Sequence, residues 1–424
     1  QSNPNSHLSS VKTFEELRLP PALLRGVQDL QFVRPSAIQE HALPAMLKEP
    51  PENLIAQAQS GSGKTAAFCL GLLFRMDTTL PVTQAIVIAP TRELAVQCAD
   101  ETLRPMARHF QPPLTVAMAL SGGSAARSGG GRSGHVVVGT PGTIENWMKK
   151  RLLDLRNIRV FVLDEADEMI SQDGHRESTT RILRAVGHHP QILLFSATFP
   201  PEVHQFALKL VRSPLTSIRL ASDTELVLEE IMQLWVDLRG RAEDGRVDFL
   251  ADLYEMLEMG QSIVFCATKR ESDRVCHTLQ SRGFTCSNLH GGLEPRDRDG
   301  CMADFRSGQN KVLITTNVLS RGVDVPAVSL VVNYDVPVKA AGGGGGYSGH
   351  SGYGGGRGGP SSDPDYETYL HRIGRTGRFG RQGVAINLVA DDNALAVIKA
   401  MEAHFSPTKP MICQVQDDVE ESER

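Results

Sequence analysis

Residues 54–74, LIAQAQSGSGKTAAFCLGLLF, combine three features in one continuous stretch. The apolar run at 54–56 predicts a buried strand, and the apolar segment from Ala66 onward predicts a helix. Between them, AQSGSGKT has the composition of a loop whose backbone N–H groups cradle phosphates. A strand, a Gly-rich loop and a helix in this order are typical of an α/β domain built on a parallel sheet.

Short apolar runs of the same kind recur along the whole chain. In the first half they lie at 85–88, 136–138, 160–163 and 192–195, and in the second half at 263–265, 312–314, 330–332 and 385–388. Successive apolar residues would place apolar side chains on both faces of each strand, as in parallel sheets covered by helices. We therefore predict an α/β fold with two series of strands, in which ligands bind beyond the carboxyl ends of the strands.

Length and composition narrow the class of protein. The chain has 424 residues, which at roughly 100–200 residues per domain predicts more than one domain. Hydrophobic residues make up 41%, and no apolar stretch approaches the ~18 residues of a membrane span, so we expect a globular chain without membrane insertion. The net charge of −5 means that any nucleic-acid binding must use local basic surface. The seven cysteines are scattered without a CxxC pair and are interpreted as reduced intracellular thiols.

Composition also divides the chain into segments. Residues 1–11 form a polar N-terminal tail without a secretory signal or an initiator Met, and we expect this tail to be truncated. A polar joint at 215–230 separates the two series of strands, which predicts domains at 12–220 and 224–424. Residues 340–364, AAGGGGGYSGHSGYGGGRGGPSSDP, predict a flexible Gly-rich loop inserted in the second domain. This loop is interpreted as a tolerated insertion, with an RNA-contacting or self-associating segment as the alternative.

The Gly-rich loop after the first strand is the strongest candidate for a nucleotide site. The residues that would bind the phosphates of ATP are Ser60, Gly61, Ser62, Gly63, Lys64 and Thr65. Lys64 would neutralise the β- and γ-phosphate oxygens, and the Thr65 hydroxyl would coordinate Mg²⁺. The alternative is a Gly-rich turn without a ligand.

A pair of carboxylates follows the strand at 160–163. Asp164 would hold Mg²⁺ opposite the phosphates, and Glu165 would orient and deprotonate the attacking water. The alternative is an acidic helix N-terminus, where carboxylates are also stabilising. The phosphate loop about a hundred residues upstream favours the catalytic interpretation.

The segment 371–381, HRIGRTGRFGR, is the most basic part of the chain. Arg375 and Arg378 would stabilise the charge of a transferring phosphoryl group. A basic surface patch or a site for the phosphate backbone of a nucleic acid is the alternative. Because these arginines and the phosphate loop fall in different predicted domains, we expect hydrolysis to require closure of the two domains.

In this order and spacing, the motifs resemble those of the DEAD-box family of RNA-dependent ATPases over about residues 11–420. The segment 31–39, QFVRPSAIQ, resembles the adenine-reading motif of that family. The resemblance implies that Gln39 hydrogen-bonds adenine and that Phe32 stacks on it. Gln31 departs from the family, which usually has Gly at this position. The resemblance also implies two tandem RecA-like domains, with ATP and Mg²⁺ as cofactors.

Further motifs resemble the segments with which the family binds RNA and couples it to ATP. By resemblance the residues that meet RNA are Pro90, Thr91, Arg92, Gly122, Gly123, Thr140, Pro141, Gly142, Thr268, His290, Gly291, Thr315 and Arg321. Gly322 and Asp324 would face the nucleotide. Ser196 and Thr198 would couple the state of ATP to RNA binding through Asp167.

Three departures resemble one subgroup, the DEAD-box ATPases of mRNA export. These are Thr143 after Thr-Pro-Gly, Asn317 where Asp is common, and the loop between 334–338 and 367–371. The subgroup acts at the cytoplasmic face of the nuclear pore. The resemblance implies an export activator bound to inositol hexakisphosphate and a nucleoporin propeller as partners, and a location in cytoplasm and nucleus.

Together the motifs predict a monomeric, ATP-dependent RNA helicase that binds single-stranded RNA in ribonucleoproteins, unwinds it locally and non-processively, and removes bound proteins. Two alternatives stay open: a general DEAD-box helicase of ribosome assembly or translation, and an ATP-dependent RNA clamp. A scaffold without activity is disfavoured because Lys64, Asp164, Glu165, Arg375 and Arg378 are all present.

Overall fold

Contacts divide the computed structural model into two compact units, Gln1–Asp223 and Thr224–Arg424. The structure describes residues 11–59, 61–121, 134–171, 173–187, 190–220, 231–242, 244–256, 260–319, 328–339, 363–377, 382–405 and 411–415. No helix within these ranges is long and apolar enough to cross a membrane.

The first unit is built on a parallel sheet of seven strands in the order β3-β4-β2-β5-β6-β1-β7. The strands are β1 Asn53–Gln57, β2 Ala85–Ile88, β3 Val116–Ala119, β4 Val136–Gly139, β5 Val160–Leu163, β6 Gln191–Ser196 and β7 Leu215–Arg219. The central strands are buried along their whole length, because helices cover both faces of the sheet.

Apart from two helices that precede β1, the helices of the first unit lie between its strands in the chain, as expected of an α/β fold. They are α1 Pro21–Asp29, α2 Ala37–Met46, α3 Lys64–Phe74, α4 Arg92–Gln97, α5 Arg104–Met106, α6 Pro141–Lys149, α7 Ala166–Ser171, α8 Asp173–Val186 and α9 Pro201–Leu210. A 3₁₀ turn spans Glu15–Leu17, and a π-helical segment, Cys98–Leu103, joins α4 to α5.

The second unit also has a parallel sheet of seven strands, in the order β10-β11-β9-β12-β13-β8-β14. Its strands are β8 Ile231–Asp237, β9 Gln261–Phe265, β10 Cys286–Leu289, β11 Val312–Thr315, β12 Val328–Asn333, β13 Gly383–Val389 and β14 Ile412–Val415. Its helices are α10 Gly245–Met256, α11 Lys269–Ser281, α12 Pro295–Arg306, α13 Tyr366–Ile373 and α14 Asp392–Phe405, with a 3₁₀ turn at Asn317–Leu319.

The two sheets have the same connectivity. When the strands are counted along the chain within each unit, both sheets have the order 3-4-2-5-6-1-7. Each strand of the first unit therefore has a counterpart in the second: β1 corresponds to β8, β2 to β9 and β5 to β12. This correspondence allows loops of the two units to be compared position by position.

The prediction of two parallel α/β sheets is confirmed, and every apolar run singled out in the sequence is a strand. The strands that the sequence pattern missed are β3, β7, β8, β10 and β14. Four of these, β3, β7, β10 and β14, are the sheet edges. Edge strands expose part of their surface and so need no continuous apolar run, as the mostly exposed β14 illustrates. Of the predicted joint at 215–230, residues 215–219 form β7, and the division between the two units, after Asp223, falls in the remainder.

The Gly-rich segment of the second unit leaves and re-enters the fold at adjacent points. Val338 and Pro364 form an antiparallel bridge, and the backbone N–H of Lys339 donates to the carbonyl of Asp363 at 2.9 Å. The N–H of Asp365 donates to the carbonyl of Pro337 at 3.1 Å. The predicted flexible loop itself, at 340–362, lies outside the described residues, as does the N-terminal tail up to residue 10.

Candidate nucleotide and RNA sites

The predicted phosphate loop joins β1 to α3 at the carboxyl edge of the first sheet. Gly61 and Gly63 have φ angles of 78° and 95°, a left-handed conformation that glycine adopts without steric cost. Helix α3 begins at Lys64, so the backbone N–H groups of its first turn point into the loop. This backbone arrangement is compatible with the predicted anion site, and phosphate binding here stays a prediction. Ser60 lies outside the described residues.

The loop is packed directly against the segment that is predicted to bind adenine. A Cβ atom on Gly63 would lie 2.7 Å from Gln39 Nε2 and 2.8 Å from Ser36 Oγ, closer than such atoms approach. Gln39 Nε2 donates to the carbonyl of Gly63 at 3.1 Å, and its Oε1 accepts from the N–H of Ser36 at 3.0 Å. A primary amide offers two N–H donors and two lone pairs, so one of each kind is left for the edge of adenine.

The segment before Gln39 contains a strained turn. Gln31 has a φ of 59°, and the next residue, Phe32, donates its N–H to the carbonyl of Val27. A left-handed conformation costs a residue with a Cβ roughly 1–2 kcal/mol. This cost explains why glycine suits position 31. The φ angle of Gln31 shows that the turn forms without glycine. Phe32 is half-buried.

Lys64 is buried and points at the loop itself. Its ammonium donates to the carbonyl of Ala58 at 2.6 Å and to that of Gln59 at 3.1 Å. An ammonium group has three N–H donors, and anionic phosphate oxygens make stronger, charge-assisted hydrogen bonds than neutral carbonyls do. The side chain thus lies where phosphate oxygens at the start of α3 would compete for it.

The carboxylates after β5 are buried together. Burial and the charge of neighbouring Glu165 raise the pKa of Asp164 to about 7, against the opposing effect of the Lys64 charge. Glu165 has a φ of 48°, and its buried Oε2 accepts no hydrogen bond from the described residues. Backbone strain at a polar residue is typical of active sites.

This donor set fits a divalent cation. Two buried carboxylates with an orphaned oxygen concentrate negative charge that a cation would neutralise, and hard oxygen ligands are those that Mg²⁺ prefers. Thr65, in the first turn of α3, supplies a hydroxyl on the same edge of the sheet. The predicted ligands of Mg²⁺ are therefore compatible with the ion.

The predicted coupling residues are in direct contact. Thr198 Oγ1 donates to Asp167 Oδ2 at 2.7 Å, and the N–H of Asp167 donates to Ser196 Oγ at 3.4 Å. Asp167 lies in α7, directly after the carboxylate pair, and Ser196 ends β6. A buried hydrogen bond thus links α7, which follows the carboxylates, to the segment after β6. The coupling of the ATP state to RNA binding through this contact stays a prediction.

In the first unit, the predicted RNA residues lie where strands give way to helices. Thr91, which follows Pro90, precedes α4 and accepts the N–H of Leu94 on its hydroxyl at 3.3 Å. Arg92 donates to the carbonyl of Ser121 at 3.0 Å. Thr140 precedes α6, whose first two residues are Pro141 and Gly142. Gly122 and Gly123 lie outside the described residues.

The second unit repeats this arrangement. Thr268 precedes α11 and accepts the N–H of Glu271 at 3.1 Å. The hydroxyl of Thr315, at the end of β11, is buried and donates to the carbonyl of Leu289 at 2.7 Å. The Thr315 hydroxyl thus bonds to the backbone of the neighbouring strand, β10.

The ring of His290 is also engaged within the second unit. Its Nδ1 accepts the N–H of Gly292 at 3.1 Å, so its Nε2 carries the proton and donates to Asp273 at 2.9 Å. The ring is buried. Any contact with RNA at this turn is therefore left to the backbone of His290 and Gly291.

Of the two predicted phosphate-binding arginines, Arg375 is described. It follows α13, is buried, and donates through Nε to the carbonyl of His371 at 3.0 Å. Arg378 lies outside the described residues, as do Arg321, Gly322 and Asp324. Their predicted roles stay predictions.

Three charged residues that the sequence did not single out lie at the carboxyl edge of the second sheet. Arg246 and Asp335 form an ion pair at 2.6 Å, and Arg372 donates to the backbone carbonyl of Asp335 at 2.7 Å. Arg372 is buried against the ring of Phe265 and also donates to Asn317, the residue where the family commonly has Asp. A signal was available for Asp335, because it follows a buried strand as Asp164 does.

Each of the two units is matched by a protein-family model. A model described as DEAD/DEAH box helicase matches residues 36–206, and a model described as helicase conserved C-terminal domain matches residues 245–380. Among curated proteins, the ATP-dependent RNA helicase dbp5 of Schizosaccharomyces pombe is 44% identical over 81% of this chain and 66% of its own length, just under two thirds. The ATP-dependent RNA helicase DBP5 of Saccharomyces cerevisiae is 41% identical over 100% of this chain and 82% of its own length.

Solved structures agree with these matches. The S. cerevisiae helicase Dbp5 bound to RNA and ADP BeF3 has a TM-score of 0.82 at 39% identity, with 96% of each chain covered. A variant of that helicase bound to nup159, a gle1 variant, ip6 and adp has a TM-score of 0.62 at 38% identity, with 94% of this chain and 96% of that one covered. The chain therefore belongs to the DEAD-box family of ATP-dependent RNA helicases, with two tandem RecA-like domains.

Proposed function

We propose that this chain is an RNA-dependent ATPase that unwinds RNA locally and displaces bound proteins during mRNA export. The observation that carries the proposal is the edge of the first sheet, where the phosphate loop lies beside the buried carboxylates Asp164 and Glu165. A phosphate site beside a carboxylate that accepts no hydrogen bond suits hydrolysis of a nucleoside triphosphate.

The residues of the first unit would bind and polarise ATP. Phe32 and Gln39 would hold the adenine, and the N–H groups at the start of α3 with Lys64 would hold the phosphates. Thr65 and Asp164 would hold Mg²⁺, which would supply neutralising charge to the phosphate oxygens when bound. Glu165 would accept the proton of the attacking water on its Oε2.

The second unit would supply the arginines. Arg375 and Arg378 would stabilise the charge that develops on the γ-phosphate, an effect worth roughly 10³–10⁵ in rate in other NTPases. Because the phosphate loop and these arginines belong to different units, we expect binding and hydrolysis to be separable. A change at Arg375 would lower the rate of hydrolysis far more than the affinity for ADP.

RNA would be bound through its phosphates. Thr91, Thr140 and Thr268 each precede a helix at a sheet edge, where backbone N–H groups and the helix dipole favour anions. Such contacts ignore base identity, so we expect little sequence preference. The logarithm of affinity would fall with the logarithm of salt concentration by about 0.7 per neutralised phosphate.

A place in mRNA export rests on the relatives. The S. cerevisiae structure with nup159, gle1 and ip6 supports the nucleoporin and the inositol-hexakisphosphate-bound activator that the sequence resemblance implies as partners. A location at the cytoplasmic face of the nuclear pore rests on that resemblance. Binding of the purified chain to a nucleoporin propeller domain would check this part. Absence of binding at micromolar concentrations would contradict it and favour a general helicase.

The activity itself is tested by steady-state ATP hydrolysis with and without single-stranded RNA. We expect RNA to stimulate the rate at least tenfold, and Glu165→Gln to lower the stimulated rate at least a hundredfold while ADP still binds. Glu177→Gln, which changes an exposed carboxylate of α8, is the matched control and should behave as the unchanged protein. Hydrolysis that ignores RNA, or that survives Glu165→Gln, would overturn the proposal.

A further inference from the structure

Asp335 occupies in the second sheet the position that Asp164 occupies in the first. The N–H of Asp164 donates at 3.0 Å to the carbonyl of Ile88, the last residue of β2. The N–H of Asp335 donates at 3.2 Å to the carbonyl of Phe265, the last residue of β9. Because β2 and β9 are corresponding strands, the two carboxylates lie at equivalent positions beside the carboxyl ends of the strands in the two sheets.

The basic residue that accompanies each carboxylate is also equivalent. Lys64 is the first residue of α3, the helix after β1, and its charge acts on Asp164. Arg246 is the second residue of α10, the helix after β8, and its Nη1 lies 2.6 Å from Asp335 Oδ1. In the second unit the basic side chain is therefore in direct contact with the carboxylate, whereas in the first unit Lys64 donates to the carbonyls of Ala58 and Gln59.

The surroundings of α10 do not suit phosphate. Asp248 lies in its first turn and Asp244 directly precedes it, so negative charge faces the end of the helix that would attract an anion. Arg239, in the loop before α10, is held by Asp237 and Asp392. We therefore interpret the ion pair of Arg246 and Asp335 as a structural contact within the second unit and not as part of a phosphate site.

Asp335 connects two functional segments of the second unit. Its Oδ2 accepts the N–H of Ala267 at 2.8 Å, directly before Thr268, the cap of α11. Its backbone carbonyl accepts Nη1 of Arg372 at 2.7 Å, three residues before Arg375. Arg246 adds a hydrogen bond to the carbonyl of Tyr334 at 3.1 Å and stacks over the Tyr334 ring at 4.2 Å.

We infer that Asp335 is a positioning residue for RNA-dependent hydrolysis: paired with Arg246, its carboxylate holds the RNA-facing start of α11 and the arginine segment after α13 in one arrangement. The inference rests on the proposed function and deepens it. It predicts that the pair acts on RNA affinity and on RNA-stimulated turnover, and leaves the binding of ADP by the first unit unchanged.

The chemistry of the contacts selects the variant. Both partners of the Asp335 side chain are donors, an N–H of Ala267 and a guanidinium N–H of Arg246. A carboxylate satisfies both, whereas an amide must turn its NH₂ toward one of them. Asp335→Asn therefore removes one contact and the ion pair while it keeps the shape of the side chain. Asp248→Asn is the matched control, because Asp248 of α10 pairs with Arg282, the residue after α11, at the surface of the same unit.

The experiment uses the full chain. Thermal melting establishes that each variant is folded, and three quantities follow: the Kd for fluorescent ADP, the Kd for a labelled oligo(U), and the RNA-stimulated kcat. For Asp335→Asn we expect a rise of at least fivefold in the RNA Kd, a fall of about tenfold in kcat and an ADP Kd within twofold of the unchanged protein. The reason is that the variant loses a half-buried ion pair and one of the two hydrogen bonds of the side chain. Asp248→Asn should leave all three within twofold.

A double-mutant cycle with Thr268→Ala separates positioning from general weakening. If Asp335 acts through the cap of α11, the two changes together raise the RNA Kd by less than the product of their separate effects. Independent effects that multiply, or unchanged RNA Kd and kcat in a folded Asp335→Asn, would overturn the inference. If that variant does not fold, Arg246→Lys, which keeps the charge but not the fork of donors, is judged by the same criteria. Hydrolysis by the unchanged protein that ignores RNA would overturn the proposed function instead.

Discussion

The loops after β1 and β8 are topologically equivalent, yet among their described residues only the first has the features that we predict to bind phosphate. After β1, two left-handed glycines bend the chain, and no acidic residue lies in the first turn of α3. After β8, the loop is fixed by ion pairs of Arg239, and Asp248 lies in the first turn of α10. The same sheet architecture therefore carries two loops that differ in charge and in the number of left-handed glycines.

Backbone strain divides the units in the same way. Among the described residues, the non-glycine residues with positive φ are Arg18, Gln31, Arg151 and Glu165, which all belong to the first unit. In the described part of the second unit only glycines adopt such angles. Two of the strained residues, Gln31 and Glu165, lie in the motifs predicted to bind ATP and water. Positive φ angles at non-glycine residues thus occur at the predicted nucleotide site of the first unit, whereas ion pairs occur at the corresponding position of the second unit.

The largest expected effect is a loss of ADP affinity when a glycine of the phosphate loop is replaced, and a glycine in the equivalent loop of the second unit provides the matched control. Gly63→Ala combines a φ of 95° with a Cβ that overlaps Gln39 and Ser36, so we expect the Kd for ADP to rise at least a hundredfold. Gly240→Ala, in the equivalent loop of the second unit, has a φ of 80° and no atom within 4 Å of the new Cβ. We expect it to cost about 1 kcal/mol of unfolding free energy and to leave the ADP Kd unchanged. Equal losses of ADP affinity would break the comparison.

An intermediate effect concerns α6, the helix that follows Thr140. Hydrogen bonds from Arg181 and Lys149 hold the pKa of buried Glu145 at about 2, below its ordinary value of 4.5. This stabilisation is fully present above pH 4.5 and is lost as the pH falls through about 2. We expect Glu145→Gln to lower the unfolding free energy by about 1–2 kcal/mol at pH 7, with the difference fading toward pH 2.

Denaturant unfolding at several pH values measures this effect. Glu177→Gln is the control, because Glu177 also pairs with Arg181 but is exposed, and we expect it to cost less than about 0.5 kcal/mol. If Glu145→Gln lowered the unfolding free energy by the same amount at every pH down to 2, the ion pairs of Glu145 would not be the cause of the loss.

The smallest effect is expected at Gln31. Replacement by glycine removes the cost of a left-handed residue with a Cβ, while it adds freedom to the unfolded chain. We expect Gln31→Gly to raise the unfolding free energy by about 0.5 kcal/mol and to leave the ADP Kd within twofold. A loss of stability in denaturant melts would mean that the Gln31 side chain stabilises the turn by contacts of its own.

The sequence predicted most of what local pattern encodes. The phosphate loop could be predicted because its glycines, Lys64 and Thr65 are adjacent in the chain, and the central strands because both of their faces are apolar. The edge strands β3, β7, β10 and β14 could not, because a strand with one neighbour needs no continuous apolar run.

Contacts between residues that are far apart in the sequence could not be predicted from local sequence patterns. Arg246, Ala267 and Asp335 lie on three different elements, and only the parallel order of the second sheet brings them together. The ring of His290 is another case: the motif predicted an RNA contact, but pairing of the ring with Asp273 depends on the packing of β10 against α11. The roles predicted for the site residues stay predictions until their variants are measured.

The most direct test of the account is the number of nucleotides that one chain binds. Calorimetric titration of the unchanged protein with ADP and Mg²⁺ should give one site per chain, and the same titration of Gly63→Ala should give no measurable binding at concentrations that saturate the unchanged protein. A second nucleotide per chain, or binding that persists in a folded Gly63→Ala variant, would contradict the claim that only the first of the two equivalent edges is a nucleotide site.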